Sequence, residues 1–490
     1  MQKRLFFLVA VIGLGLALVS IALIGAQTSH AATQFGSPLS QTDGPENPDR
    51  APRPESVVQG PATPPLSPEL WNGTWEYGPN TTFTFSRFDA VYYPGNGLVY
   101  FLGGRLPDNS TDGSVWSFDP ATGAYSDTGA NLPTPISNYE IQILQDTNGW
   151  GLYVFCGRPA AGGVVDFVQV YYPDTNTTAQ LPAGDNYPGT GTCSSGLQAT
   201  YNNKVYTAGG FDAVSNFSET WVFDPMAASG SRWTQLASAT LSTARAYIMN
   251  AVVDDLIYAI GGSYFDGTNL INVQTVEVLD PNAATPVWDD AAALDLPEIC
   301  SESRAWGFDS TSTYVDPDGS PLAGKIVVGC GYWSTPNNHV LVYDTQLNFW
   351  ENFPYFNDAR RSEAAAFLPV SGIITNGVAA LWVWGGYDAT GTGFLSTSEY
   401  YGIEEGSACQ ILLVDDDWNF TSPNFGGRYY YTSTLDSLGY NYAVWDTESM
   451  GTPTSTDMDP YNVVVWFTGY DWQTPISPTE EAELVNYLNG

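Results

Sequence analysis

One unit recurs six times across residues 71–402, and it restricts the fold more than any other feature of the chain. Its clearest copy is 256–288. An alternating apolar run, Leu256–Ile260, ends in the glycines 261 and 262, and a polar loop leads to a second alternating run, 273–279. Asp280, Pro281 and a lone Trp288 complete the unit. Alternation at period two reads as half-buried strands. The glycines supply backbone angles that side chains forbid where two chains pass closely, and Asp-Pro opens a turn. The unit is therefore a four-stranded antiparallel sheet.

The strand-and-glycine element returns as LVYFLGG, LYVFCG, KVYTAGG, LIYAIGG, IVVGCG and LWVWGG, ending at Gly104, Gly157, Gly210, Gly262, Gly331 and Gly386. The following strand returns as VWSFDP, VQVYYPD, TWVFDP, VEVLDP, VLVYDT and STSEYYG. Closing aromatics are Tyr125, Trp233, Trp288 and Trp350. Self-similarity with a period of roughly 50 residues signals a β-propeller. These residues resemble kelch repeats, whose unit is an apolar strand, a diglycine, a Tyr-Asp-Pro-like strand and a spaced Trp. The resemblance implies a mainly β fold: a six-bladed kelch-type propeller over 71–405. The last copy lacks its closing Trp, whereas Trp71 and Trp75 precede the first copy, so an N-terminal strand is expected to close the last blade and remove an open sheet edge.

Lys3 and Arg4 precede an apolar run reaching Ile24, with small residues near Ala31, the pattern of a secretory signal over 1–31. Uncleaved, the run is long enough to anchor the chain in a bilayer. Residues 32–70 are rich in Pro, Ser, Gln and Thr and read as an extended spacer. Acids outnumber bases 52 to 15, giving a net charge of −37, which argues against nucleic acid and against anionic lipid as partners. The expected location is secreted or cell-surface, and the expected state is a monomer. Asn-x-Ser/Thr sequons at Asn72, Asn80, Asn109, Asn176, Asn216 and Asn419 fit such a location.

The propeller geometry sorts the charged residues. The start of each inner strand and the end of each second strand lie on one face. Arg87, Arg245, Arg304, Arg360 and Arg361 stand at inner-strand starts, and Arg105 and Arg158 follow second-strand glycines. One expectation is an anion-receptive mouth, with Phe211, Tyr264, Tyr332 and Tyr387 as stacking aromatics. The other is that the arginines tie neighbouring blades together. The repeated Trp positions read as inter-blade packing. The same geometry pairs Cys300 with Cys330 and Cys156 with Cys193, leaving Cys409 free, against the rival that all five are buried thiols.

Beyond Gly402 the pattern changes to strands 411–417, 440–445 and 461–467, with helices at 429–438 and after Ser477. This order reads as an incomplete parallel α/β domain over 406–490, expected to be part of a longer one. It resembles flavodoxin-like or glutamine-amidotransferase-like domains, without their catalytic motifs. Asp415, Asp416 and Asp417 are a candidate cation site or a solvated strand end.

His30 and His339 are the two histidines, and His30 falls in or beside the leader, so copper-radical oxidase chemistry, His-dependent triads and most zinc sites are excluded. No cofactor is expected. The leading expectation is a non-catalytic exported protein that binds protein or polysaccharide through its axial loop face. The alternative is a carbohydrate-active enzyme using acids on that face.

Overall fold

The computed structural model describes residues 71, 73–160, 162–317, 320–333, 336–369, 378–405, 411–416, 427–437, 442–458, 461, 463–468 and 476–489, with the backbone of 5–9 and 57–58. The remaining leader and spacer, Cys409, Asp417, Asn72 and Asn419 lie outside the described residues.

Six antiparallel sheets follow one another along the chain. Their inner strands are Ala90–Tyr93, Ile141–Asp146, Leu197–Tyr201, Met249–Val253, Ala305–Phe308 and Ala364–Leu368. Each pairs with a second strand, each second strand with a third, and blades 1 to 5 add an outer strand. In blade 6, Glu76–Tyr77 pairs with the third strand, Ser398–Glu405, through Tyr77 opposite Glu399 and Glu76 opposite Tyr400. The result is a six-bladed β-propeller. Blade 4 carries an inserted hairpin, Ser263–Phe265 and Leu270–Val273, along which the backbone of Val57–Val58 runs parallel. The spacer thus lends two residues to a sheet.

The blades pack through their aromatic residues. Trp288 Nε1 donates to Thr220 Oγ1 of the preceding blade at 2.9 Å. Trp233 Nε1 donates to the Asp185 carbonyl and Trp350 Nε1 to the Leu294 carbonyl, each at 2.9 Å. Trp75 packs edge-on against Phe356 and near Tyr401, between blades 5 and 6. An indole is suited to this place because its body is apolar and its single N–H finds a carbonyl in the neighbouring blade. The glycine pairs are needed for close approach: at Gly210, φ is +133° and a Cβ would lie 2.1 Å from the Thr192 carbonyl oxygen. In the degenerate second copy Cys156 takes a positive φ of 58° instead.

The axis is encircled at one end by backbone hydrogen bonds. One residue per blade, just before the inner strand, adopts a left-handed conformation: Arg87, Asn138, Ser195, Tyr247, Glu302 and Ser362, with φ between 54° and 64°. Each N–H donates to the carbonyl of the corresponding residue one blade back. The bonds run Asn138 to Arg87, Ser195 to Asn138, Tyr247 to Ser195, Glu302 to Tyr247, Ser362 to Glu302 and Arg87 to Ser362, at 2.5–3.3 Å. The circle is complete. Non-glycine residues adopt this conformation at a cost, and the interblade bonds offset it.

Both expected disulfides are present. Cys156–Cys193 ties the second strand of blade 2 to the segment leading into blade 3, and Cys300–Cys330 closes a loop within blade 5.

The remaining described residues belong to a second unit. Strands Ile411–Asp415, Tyr442–Asp446 and Val463–Phe467 are parallel, with Ile411–Asp415 between the other two. Helix Pro478–Asn489 opens with a capping box: Ser477 N–H donates to Glu480 Oε2 at 2.6 Å, and Glu480 N–H donates back to Ser477 Oγ at 3.3 Å. Its apolar face meets Leu412, Val414, Val464 and Trp466 through Leu484 and Tyr487. The leader is expected to stand outside the fold, yet the backbone of Leu5–Val9 lies parallel to Val463–Phe467. An open parallel edge accepts any extended apolar run in register, because the unpaired backbone groups otherwise need water.

The disulfides close loops of 37 and 30 residues, each worth about 3–4 kcal/mol by chain entropy. Reduction under native conditions is expected to lower the melting temperature by several degrees, and Cys300→Ser with Cys330→Ser to reproduce part of that loss in a thermal melt.

Candidate functional site

The face carrying the arginines is not an open mouth. Arg245 is wholly buried, donates from Nε to the Gly261 carbonyl at 2.9 Å, and pairs with Glu277 on the third strand of its own blade. Arg360 repeats the arrangement in blade 6, with the Gly385 carbonyl at 3.0 Å and Glu399 at 2.5 Å. Both stand two residues before the ring position, where blades 3 and 5 carry Cys193 and Cys300. An ion pair or a disulfide thus fastens the start of the inner strand in four of the six blades. Arg105 Nη2 donates to Ser137 Oγ and Arg158 Nη2 to the Phe211 carbonyl, each bridging to the next blade. The expectation that these four arginines receive a ligand is corrected by their burial and internal partners.

Arg87 and Arg361 share one aromatic stack. The Arg361 guanidinium lies 4.1 Å from the Tyr387 ring centre and 4.6 Å from that of Trp333, and its Nη1 donates to Glu302 Oε2 at 2.5 Å. Arg87 lies 5.6 Å and 5.5 Å from the same two rings. Burial pushes the Tyr387 hydroxyl up, but the two guanidiniums outweigh it and hold it below its ordinary value. Phe211 and Tyr387 are buried, and Tyr264 and Tyr332 are half-buried. Together with the backbone ring, this stack seals the axis on the arginine side.

The axis is open instead along the inner strands. A channel of about 560 Å³ is lined by inner-strand residues of all six blades, among them Tyr92, Ile143, Thr200, Val252 and Phe367. Its floor lies next to the ring and is polar. Arg304 is the one expected ligand-binding arginine that reaches it. Arg304 Nε donates to Asp89 Oδ1 at 3.0 Å and Nη2 to the Phe88 carbonyl at 2.8 Å, while Nη1 lies 3.8 Å from Glu140 Oε1. Asn250 Nδ2 donates to Glu140 Oε2 at 2.8 Å. Blades 1, 2, 4 and 5 therefore meet across the axis. The side chains of Asp89, Glu140 and Arg304 retain 10, 12 and 19 % of their exposure, so the floor still touches solvent. A cavity of about 40 Å³, the size of a single water site, separates it from the ring.

Two carboxylates share one guanidinium at this floor. Burial raises both above their ordinary range against the pull of Arg304, and Glu140, the more distant and also repelled by Asp89, rises to about 7. Near neutral pH the trio is thus poised between net neutral and singly negative. Asp89, Glu140 and Asn250 are absent from the residues singled out by sequence. A signal existed: Asp89, Glu140 and Arg304 each stand two residues after the ring position, where the other blades carry Leu197, Met249 and Ala364.

His339 lies away from the channel residues, with Nδ1 2.8 Å from Glu298 and its ring stacked on Tyr355. In the second unit Asp415 pairs with Arg428, which also reaches Asp446 at 2.9 Å. Asp416 accepts from Thr447 Oγ1 and Trp466 Nε1. Among the described residues no group of three or more His, Cys, Asp or Glu side chains could hold a metal ion, and Asp417 lies outside them. Among the described residues no helix is long and apolar enough to cross a membrane.

No family model matches the chain, and no curated protein matches it. Among solved structures the chain is similar to YjhT, at 15% identity and a TM-score of 0.49, over 65% of this chain and 95% of that one.

Two outcomes follow from the charge pairs. Arg360→Met is expected to cost about 3–5 kcal/mol, because it leaves Glu399 buried without its cation. Arg360→Met with Glu399→Gln should recover much of that loss in a denaturant titration. Glu140 has its folded pKa raised from 4.5 to about 7, so the folded state binds the extra proton. Stability is then fullest below about pH 4.5 and falls as pH rises through 7. Glu140→Gln should gain stability relative to wild type on going from pH 5 to pH 8, measured by thermal melts at both.

Proposed function

We propose that this chain is an exported kelch-type propeller that binds its ligand in the axial channel, on the side opposite the arginine face. The kelch assignment rests on the repeated strand, diglycine and aromatic pattern, and the closing-strand reading on Glu76–Tyr77 paired with the last blade. Two disulfides fit an oxidising compartment, in keeping with export. The second unit is read as flavodoxin-like on the strength of its parallel strands and capped helix, with no activity assigned to it.

One observation carries the binding reading: a channel with a sealed, polar floor and half-apolar walls, within the size range of small-ligand sites. A blind channel takes a small molecule or the end of a chain, not a broad protein surface. Ala365 lies on its wall and is half-buried. Ala365→Trp is expected to abolish ligand-induced thermal stabilisation in a screen of small molecules and glycans, while leaving the far-UV dichroism unchanged. Ligands that stabilise both forms equally would move the site elsewhere.

A second reading is acid–base catalysis on a saccharide. It is favoured by Glu140, raised to about 7 beside Asp89, which is held on Arg304. A protonated carboxyl next to an ionised one is the division of labour in glycoside hydrolysis. Release of reducing ends, lost in Glu140→Gln with binding retained, distinguishes this reading from binding alone.

A further inference from the structure

We infer that the axial channel selects a neutral, hydroxyl-rich saccharide end and turns away acidic sugars; the inference rests on the channel reading above and adds the class of ligand. The first reason is that the channel offers no spare cation. Arg304 is the single cation among the described residues of its wall. Its three guanidinium nitrogens face Asp89, the Phe88 carbonyl, and the Ser303 carbonyl with Glu140. A sugar carboxylate reaching the floor would meet Asp89 and Glu140 with its charge unpaired, and burying an unpaired charge is strongly unfavourable. The net charge of −37 adds a repulsive approach.

The second reason is the pattern of groups left along the channel. Asn250 donates to Glu140, and among the described residues its Oδ1 takes no hydrogen bond. Thr200 Oγ1 donates to Gln142 Oε1 at 2.6 Å, which leaves the Thr200 oxygen able to accept. Both of these oxygens accept, so sugar hydroxyls can donate to them, whereas a carboxylate, which only accepts, cannot. The third reason is the wall. Tyr92 and Phe367, in the adjoining blades 1 and 6, are half-buried along it, and aliphatic Ile143 and Val252 line it from blades 2 and 4. Aromatic faces of this kind accept the apolar C–H face of a sugar ring. With the ring end closed, a saccharide enters by its terminus.

The test is calorimetric titration of the full chain with three matched disaccharides: neutral cellobiose, acidic digalacturonate and basic chitosan dimer, at pH 6 and pH 8. Wild type, Ala365→Trp and Glu140→Gln are compared. The expected result is binding of the neutral disaccharide at least tenfold tighter than of the acidic one, lost in Ala365→Trp. In Glu140→Gln the difference in binding between the two pH values should shrink. Tighter binding of the acidic or basic sugar, abolished by Ala365→Trp, would overturn the ligand class and leave the channel reading standing. Neutral binding that survives Ala365→Trp would overturn the placement, and no binding of any of the three would overturn this inference.

Discussion

The circle of six backbone hydrogen bonds about the axis is the constraint on which the rest of the structure depends. Each blade gives an N–H to one neighbour and a carbonyl to the other, so no blade can be displaced without breaking two bonds. The bonds require six residues at positive φ, five of them neither glycine nor asparagine, and that conformation is held only because the blades on both sides are fixed. The indoles that reach backward to the preceding blade, and the Arg–Glu pairs and disulfides two residues before the ring, all hold the segments from which the circle is made.

This closure decides what the charged residues can do. On its outer side the guanidiniums of Arg87 and Arg361 lie against Trp333 and Tyr387, and the axis is sealed. On its inner side the inner strands spread apart and leave a channel whose floor is Asp89, Glu140 and Arg304. A wholly buried ion pair such as Arg245–Glu277 adds little net stability, because desolvation of both groups opposes their attraction, but removal of either partner is costly. Such pairs secure geometry. The floor trio differs because it retains contact with solvent, and its protonation therefore answers to pH.

Much of the fold was legible along the chain. Gly209 with Gly210, the Asp-Pro turns and Trp288 mark one blade each, because every blade solves the same packing problem locally. Cys300 and Cys330 lie at facing ends of adjacent strands, so their pairing followed from antiparallel order. The arginines were legible as a group on one face, but not as buried: Arg245 and Arg87 look alike in sequence, and only the placement of Glu277 in one case and Trp333 in the other separates them. The strand Leu5–Val9 reads as a leader, since an apolar run carries no mark of the sheet edge it can pair with.

The sequence by itself determined the number of blades, their strand order, the aromatic contacts between them and the disulfide pairs, since each depends on residues within one repeat or the next. The tertiary structure alone decided which end of the axis is open and which side chains meet there. Asp89 and Arg304 are separated by 215 positions and belong to different blades. They converge because all inner strands point at one axis, and a radial arrangement brings together residues that no local spacing connects.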